Sequence, residues 1–253
     1  IEAVFEDLNL KHNLYKKIEP HLKEGAILAS NTSTLPITKL SEVLADSTRF
    51  LGIHFFSPVD KMNLVELIKS ERTNDNALAV ALDYTSLIKK TPIVVNDSRG
   101  FYANRCIIPY INEGLRMLNE GIEPALIENS AKQIGMPVGP LQLLDELSVS
   151  LALNVAKETR EALGTKYEET GTESILLEMS QKNRLGRKEL AGFYEYDEKG
   201  RRLKLWEGLR NLNIEKNSAD ISTATVKNRL AYVQALEAAR ALEENILLSV
   251  EEG

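Results

Sequence analysis

The stretch GIHFFSPVDKMNLVELI, residues 52–68, places one histidine and one glutamate in runs that are otherwise apolar. His54 lies near the end of FLGIHFF, and Glu66 follows twelve positions later within NLVELI. Short apolar runs bounded by turn residues are typical of buried β-strands. Two interpretations follow: His54 and Glu66 are satisfied core residues, or they form a histidine–carboxylate pair placed for chemistry.

Composition limits the class of protein. The chain has 253 residues, enough for two modest domains, with 43% hydrophobic and 27% charged residues. A net charge of −6 and the lack of a Lys/Arg run argue against a nucleic-acid partner. No apolar stretch reaches membrane-spanning length, and the single cysteine, Cys106, rules out an internal disulfide. We therefore expect a soluble, cytoplasmic protein without a transmembrane segment.

Residues 1 to about 97 alternate between short apolar runs and helical patterns. The predicted strands are IEAVFE, GAILAS, FLGIHFF, NLVELI and TPIVVN. Between them, one helix is predicted from Leu10, Leu14, Ile18 and Leu22, and another over residues 77–89. Alternation of this kind predicts an α/β layer structure with a largely parallel sheet.

From Gly100 onward the apolar period is helical. One face of a helix beginning near Phe101 carries five apolar residues: Ile107, Ile108, Ile111, Leu115 and Leu118. The change of period predicts an α/β region over residues 1–97 and an all-α region over residues 98–212.

The helical part contains an internal repeat. NRCIIPYINEGLRMLNEG, which begins at Asn104, aligns without gaps with NRLAYVQALEAARALEEN, which begins at Asn228. Six positions are identical, although two amphipathic helices can share such letters by chance. We interpret residues 213–253 as a linker and the first helix of a truncated second repeat, with Ser222 or Thr223 as its N-cap.

The N-terminal residues pose a separate question. A strand as inward-facing as IEAVF would be left as an exposed sheet edge, and no G-x-G-x-x-G dinucleotide motif occurs in the chain. Either the protein never had such a loop, or the sequence is a piece of a longer protein.

Five motifs in order resemble the L-3-hydroxyacyl-CoA dehydrogenase family: SNTSTLPI, GIHFFSPVDKMNLVELI, DSRGFYANRCIIPYINEG, GMPVGPLQLLDELSV and GRKELAGFYEYDEKG. The chain is most similar to the dehydrogenase part of the multifunctional α-subunit of fatty-acid β-oxidation. The resemblance implies that residues 1–97 are the C-terminal part of an NAD-binding Rossmann domain, followed by helical dehydrogenase domains. The glycine-rich loop would then lie upstream, and the chain as given is expected to bind NAD poorly and to be inactive alone.

The resemblance also implies a substrate, partners and site residues. The substrate would be a 3-hydroxyacyl-CoA, and the protein would form a homo- or hetero-oligomer, with a thiolase subunit as a possible partner. The implied catalytic residues are His54, Glu66, Ser33 and Asn104. The implied cofactor-binding residues are Glu6, Lys11, Ser33 and Ser57, although some family members carry Asn at the last position.

Each implied residue also has a structural interpretation. Ser33 fits a turn or helix cap in the Ser/Thr-rich SNTST, and Asn104 fits a cap of the long helix. Glu6 and Lys11 fit an exposed pair at a helix start.

Oxidation of a secondary alcohol needs a general base with a pKa near neutrality, which suits imidazole. Because His54 is near the end of its predicted strand, we expect it at the carboxyl edge of the sheet, with Glu66 at the end of the next strand. Glu66 would then fix the imidazole tautomer and stabilise the imidazolium. The alternatives are a 3-hydroxybutyryl-CoA dehydrogenase of another pathway and a non-catalytic helical assembly module.

Two motifs remain. GMPVGPLQLLDELS predicts a packing loop that leads into a helix. GRKELAGFYEYDEKG predicts a surface hairpin with Tyr194 and Tyr196 on one face, and Lys188 is a candidate CoA contact.

Overall fold

The computed structural model describes residues 1–166, 171–212 and 221–253, which form two units. The first unit comprises residues 1–106 and 236–253, and the second comprises residues 107–235.

A mixed four-stranded sheet forms the centre of the first unit. Its strands, in spatial order, are β1 Leu28–Ser30, β2 Phe50–Phe55, β3 Leu64–Lys69 and β4 Thr91–Asn96. The β1–β2 and β3–β4 pairs are parallel, but the β2–β3 pair is antiparallel. The alternation of apolar runs and helical patterns predicted a largely parallel sheet, and this central pair departs from it. The reason is the short connection 56–63, because a parallel pair needs a longer crossover.

Helices cover both faces of this sheet. The helices of the first unit are α1 Leu8–Ile18, α2 Ile37–Ser41, α3 Asp75–Leu87, the first turn of α4 Ala103–Asn119 and the C-terminal end of α9 Thr223–Glu243. Alternate residues of each strand enter different cores. Phe50 packs with Tyr15 and Phe101 on one face, whereas Leu51 packs with Val65 on the other.

The predicted N-terminal strand IEAVFE does not form. Glu2 makes a single bridge to Ser30, and Val4 and Phe5 are 39% and 80% exposed. The Asp7 side chain accepts a hydrogen bond from the Leu10 amide and so caps α1 immediately afterwards. The prediction of an inward-facing strand was therefore wrong, because the polar residues of this segment turn inward.

The second unit is helical, with one hairpin. Its elements are the rest of α4, α5 Pro124–Gln133, α6 Pro140–Leu147, α7 Val149–Leu163, α8 Glu173–Gln181, β5 Tyr194–Tyr196, β6 Arg202–Leu205 and the N-terminal part of α9. The prediction of a surface hairpin was wrong about Tyr194 and Tyr196, which are buried. Their hydroxyls donate to the buried carboxylates of Glu128 (2.7 Å) and Asp145 (2.9 Å), so these tyrosines are part of the unit's core.

The second repeat forms a helix, α9, as predicted. Ser222 Oγ accepts a hydrogen bond from the Thr225 amide at 3.1 Å, which makes Ser222 the N-cap. The two ends of α9 belong to different units, however. Val226 and Leu230 are buried in the core of the second unit, and Ala241 is buried in the core of the first. The predicted linker residues 213–220 lie outside the described part of the chain.

Candidate active site

His54 and Glu66 face each other across the antiparallel β2–β3 pair. They are direct partners in the strand register, and His54 Nδ1 lies 2.7 Å from Glu66 Oε2. His54 is 4% exposed and Glu66 is fully buried. The structure corrects the prediction that Glu66 ends the next strand. It is the third residue of β3, because β3 runs antiparallel to β2 and its beginning meets the end of β2.

The other oxygen of Glu66 accepts hydrogen bonds from the start of helix α4. Oε1 accepts hydrogen bonds from the backbone amides of Tyr102 (3.1 Å) and Ala103 (2.8 Å). The first amides of a helix have no intrahelical acceptor, so they are free to donate to a carboxylate oxygen. Glu66 Oε2 accepts a hydrogen bond from Nδ1–H of His54, and in this tautomer Nε2 carries no hydrogen and can accept a proton.

Asn104 and Ser33 lie in direct contact. Asn104 Nδ2 donates to the Ser33 carbonyl oxygen at 2.9 Å. Asn104 lies inside the first turn of α4, which begins at Ala103, so it is not the N-cap that the alternative interpretation proposed. Asn31 Oδ1 also accepts from the Phe55 amide at 2.9 Å, which joins the loop after β1 to the end of β2.

Glu6 organises the loop that carries Ser33. Its Oε1 accepts from the amides of Ser33 (2.9 Å) and Thr34 (3.0 Å) and from the hydroxyl of Thr32 (2.6 Å). Burial alone would raise the pKa of the Glu6 carboxyl, but these hydrogen bonds and the nearby Lys11 ammonium hold it below its ordinary value. Glu6 is therefore ionised in the folded protein at neutral pH.

Lys11 is fully buried, unlike the exposed pair of the alternative interpretation. Its Nζ lies 3.0 Å from Glu2 Oε1 and 3.4 Å from Glu6 Oε2. Glu2 also accepts from the hydroxyls of Tyr15 (2.6 Å) and Ser30. Lys11 thus links the sheet-edge carboxylate of Glu2 to the carboxylate that holds the Ser33 loop.

Ser57 is the predicted residue that these contacts do not include. It is exposed in the connection between β2 and β3. The remaining predicted residues form one connected network from Lys11 and Glu6, through Ser33 and Asn104, to the start of α4, and from there to Glu66 and His54.

Aromatic side chains flank the imidazole of His54. The Phe56 and Phe101 rings lie 4.6 and 5.9 Å from it, both tilted. Phe101 is fully buried and has a positive φ of 54°, directly after Gly100 at 74°. These two phenylalanines, Asn31 and the α4 amides were not among the predicted site residues. The GFY turn before Asn104 was the available signal.

Three polar groups of the network have no hydrogen-bond partner among the described residues: His54 Nε2, Ser33 Oγ and Asn104 Oδ1. Ser33 follows β1, and His54 lies near the end of the parallel strand β2. The carboxyl ends of adjacent parallel strands are where open α/β sheets bind ligands. A proton acceptor, a hydroxyl and an amide are therefore available for a bound ligand.

The part of the chain that the structure describes contains no cluster of three or more His, Cys, Asp or Glu side chains suited to hold a metal ion. Within the same residues, no helix is both long enough and apolar enough to cross a membrane.

Solved structures with similar folds include the following three. M. tuberculosis FadB2 is 31% identical, with a TM-score of 0.71, and (S)-3-hydroxybutyryl-CoA dehydrogenase PaaH1 from Ralstonia eutropha is 38% identical, with a TM-score of 0.70. Both matches cover 78% of this chain and 70% of the other chain. The dehydrogenase part of multifunctional enzyme 1 from C. elegans is 30% identical, with a TM-score of 0.68, over 99% of this chain and 57% of its own.

Sequence profiles of two domains match consecutive parts of the chain. Residues 1–98 match the NAD binding domain of 3-hydroxyacyl-CoA dehydrogenase, and residues 100–196 match its C-terminal domain. The chain thus belongs to the 3-hydroxyacyl-CoA dehydrogenase family and is an NAD-dependent dehydrogenase.

Proposed function

We propose that this protein oxidises (3S)-3-hydroxyacyl-CoA thioesters to 3-oxoacyl-CoA, with His54 as the general base. The observation that carries the proposal is the buried His54–Glu66 pair, whose Nε2 is free to accept a proton. Family membership supports the reaction class, and the geometry supports the roles of the individual residues.

The base acts on the hydroxyl at C3. His54 Nε2 takes the hydroxyl proton while the hydride on C3 leaves and the C3–O bond becomes a carbonyl. The Glu66 carboxylate faces the imidazolium that forms and balances its charge, so proton transfer does not create an unpaired buried cation. Phe56 and Phe101 limit the access of water to the ring.

Ser33 and Asn104 orient the reacting oxygen. Asn104 uses one amide proton on the Ser33 carbonyl and has a second proton for the substrate oxygen. Ser33 Oγ serves as a donor to the same oxygen or to the cofactor. Holding the C3–O group between these donors and Nε2 fixes the approach of the base.

The chain's residues fit the nicotinamide end of NAD. Bound NAD supplies the acceptor for the hydride from C3. Ser33 and the partly exposed Glu6 lie at the end of β1, on the ligand-binding edge of the sheet, and would hold the nicotinamide ribose. Lys11 is too deeply buried for a direct contact and acts on the cofactor through Glu6. Ser57 is a further cofactor contact in this proposal.

We assign the reaction to fatty-acid β-oxidation in the cytoplasm, with a thiolase subunit as a partner and an oligomeric assembly. The match to the C. elegans multifunctional enzyme supports this assignment because it covers 99% of the chain and so includes α9. The second candidate is a short-chain dehydrogenase of another pathway. The 38% identity to a 3-hydroxybutyryl-CoA dehydrogenase favours it.

Initial rates with 3-hydroxyacyl-CoA substrates of four to sixteen carbons test the proposal in the full-length protein. Reduction of NAD with (3S) but not (3R) substrates, retained at long chain lengths, is the expected result. Activity confined to the four-carbon substrate would favour the second candidate. A folded protein that oxidises none of these thioesters would overturn both.

A further inference from the structure

A cluster of ion pairs joins the C-terminal helix to the first turn of α4. Arg105 directly follows Asn104. Its guanidinium donates to Glu237 through Nε (2.9 Å) and Nη2 (2.6 Å), and to Glu244 through Nη1 (2.5 Å). The side chains of Arg105 and Glu237 are 18% and 12% exposed. A multidentate, mostly buried guanidinium contact fixes direction as well as distance.

The same end of α9 is anchored to the sheet. The Asn96 amide donates to the Ile246 carbonyl at 2.9 Å, and Asn96 Nδ2 donates to the Asn245 carbonyl at 2.6 Å. Farther along, the Val94 amide donates to Glu252 Oε2 at 3.0 Å. The C-terminal segment therefore covers the edge of β4, the strand next to the one that carries Glu66.

A tight turn directly precedes α4. Gly100 and Phe101 both have positive φ angles, so the chain reverses sharply just before the helix. The contacts on which the site depends, from the Tyr102 and Ala103 amides to Glu66 and from Asn104 to Ser33, all come from the residues between this turn and Arg105.

We propose that Arg105, held by Glu237 and Glu244, positions the start of α4 so that Asn104 and the α4 amides reach Ser33 and Glu66. Arg105 is a positioning residue, and through it the C-terminal helix is part of the active-site support. This inference rests on the proposed function, since it assumes that Asn104 and Glu66 serve the oxidation.

The repeat supplies a matched control. Arg229 is the equivalent of Arg105, and in the second unit it pairs with Glu113 and Glu120, the equivalents of Glu237 and Glu244. Arg229→Gln removes the same chemistry from a place that carries none of the site residues. Both substitutions should therefore cost stability, but only the one at Arg105 should cost turnover.

The test measures kcat, KM and Tm of Arg105→Gln and Arg229→Gln in the full-length enzyme. Arg105→Gln is expected to lower kcat about tenfold or more, as misplaced catalytic groups do, with a smaller change in KM. Arg229→Gln should lower Tm to a similar extent, with kcat within about twofold of wild type. Equal effects of the two substitutions on kcat would overturn the proposal.

Two milder variants keep the test informative if Arg105→Gln folds poorly. Arg105→Lys keeps the charge and should recover part of kcat. Glu237→Gln should lower kcat as Arg105→Gln does, and the double variant should be no worse than Arg105→Gln alone. Normal kcat in folded Glu237→Gln would sink the idea. Folded His54→Gln enzyme at full turnover would show instead that the proposed function itself has failed.

Discussion

His54 and Glu66 are register partners on antiparallel strands, with Nδ1 of the imidazole 2.7 Å from Oε2 of the carboxylate. Neighbouring strands hold the two Cα atoms at a fixed spacing, so their distance does not depend on a mobile loop. The carboxylate is in turn fixed by the first amides of α4. The proposed base is therefore oriented by backbone structure on two sides.

Replacement of the base should abolish most turnover without unfolding the protein. His54→Gln is expected to lower kcat by roughly two to four orders of magnitude, the usual contribution of a positioned general base. His21→Gln, at an exposed histidine, should leave kcat unchanged. Stopped-flow or steady-state rates, together with thermal melts, check both variants. A folded His54→Gln enzyme with a low Tm and normal kcat would contradict the assignment.

Glu66→Gln should also reduce kcat, because the amide cannot balance the imidazolium charge. If the two residues act as one unit, the double variant His54→Gln/Glu66→Gln should have nearly the same kcat as His54→Gln alone. Rates for the two single variants and the double variant complete the cycle. Multiplicative losses would show that Glu66 acts independently of His54.

Because Asn104 contacts Ser33, replacing Asn104 should impair the orientation of the substrate. Asn104→Ala should lower kcat/KM by about 100-fold, as expected when a reacting group is misplaced. Asn228 is the repeat equivalent and is exposed, so Asn228→Ala is the control and should be neutral. Rates with a saturating cofactor check this prediction. Equal rates for the two variants would remove Asn104 from the site.

The Glu6 carboxylate should support both the Ser33 loop and acid stability. Its lowered pKa means that the unfolded chain takes up a proton first as the pH falls. The stabilising contribution is thus complete above the ordinary value of 4.5 and is lost as the pH falls through the lowered pKa. Glu6→Gln should therefore lower Tm more at pH 7 than at pH 4, and should raise the KM for NAD by about tenfold, the loss of one charge-assisted hydrogen bond. A Tm difference that does not depend on pH would contradict this.

The buried carboxyl of Asp145, in the second unit, should make the protein less stable as the pH rises, which is the opposite of the effect of Glu6. Burial raises the pKa of its carboxyl from 3.8 to about 6, although the amides of Phe193 and Tyr194 and the Tyr196 hydroxyl oppose this shift. Between these values the folded protein keeps a proton that the unfolded chain has lost, so the free energy of unfolding falls as pH rises from about 3.8 to about 6. Urea unfolding of wild type and Asp145→Asn between pH 3.8 and about 6 should show that the variant lacks this fall in the free energy of unfolding. If the free energies of unfolding of wild type and variant changed with pH in the same way, the prediction would be contradicted.

Several elements were predictable because they depend on local pattern. The strands β1 to β4, the helices α1, α3, α4 and α9, and the N-cap Ser222 follow from period and capping residues close together in sequence. The residue types of the His54–Glu66 pair were visible for the same reason, since polar residues within apolar strands stand out. The proposed roles of Ser33 and Asn104 came only from the family motifs, because each residue alone also fits a turn or a cap.

What the sequence by itself determined is thus where most of the strands and helices lie and which polar residues stand within apolar runs. Only the tertiary structure decided which side chains and strands contact each other. Tertiary packing decided that β3 runs antiparallel to β2 and that Lys11 is buried against Glu2. It also decided that Glu6 binds the Ser33 loop and that Arg105 pairs with Glu237. Periodicity reports the face of an element, but it carries no information about the residue from a distant part of the chain that meets that face. A buried charge requires a partner, and only the packed chain determines which one.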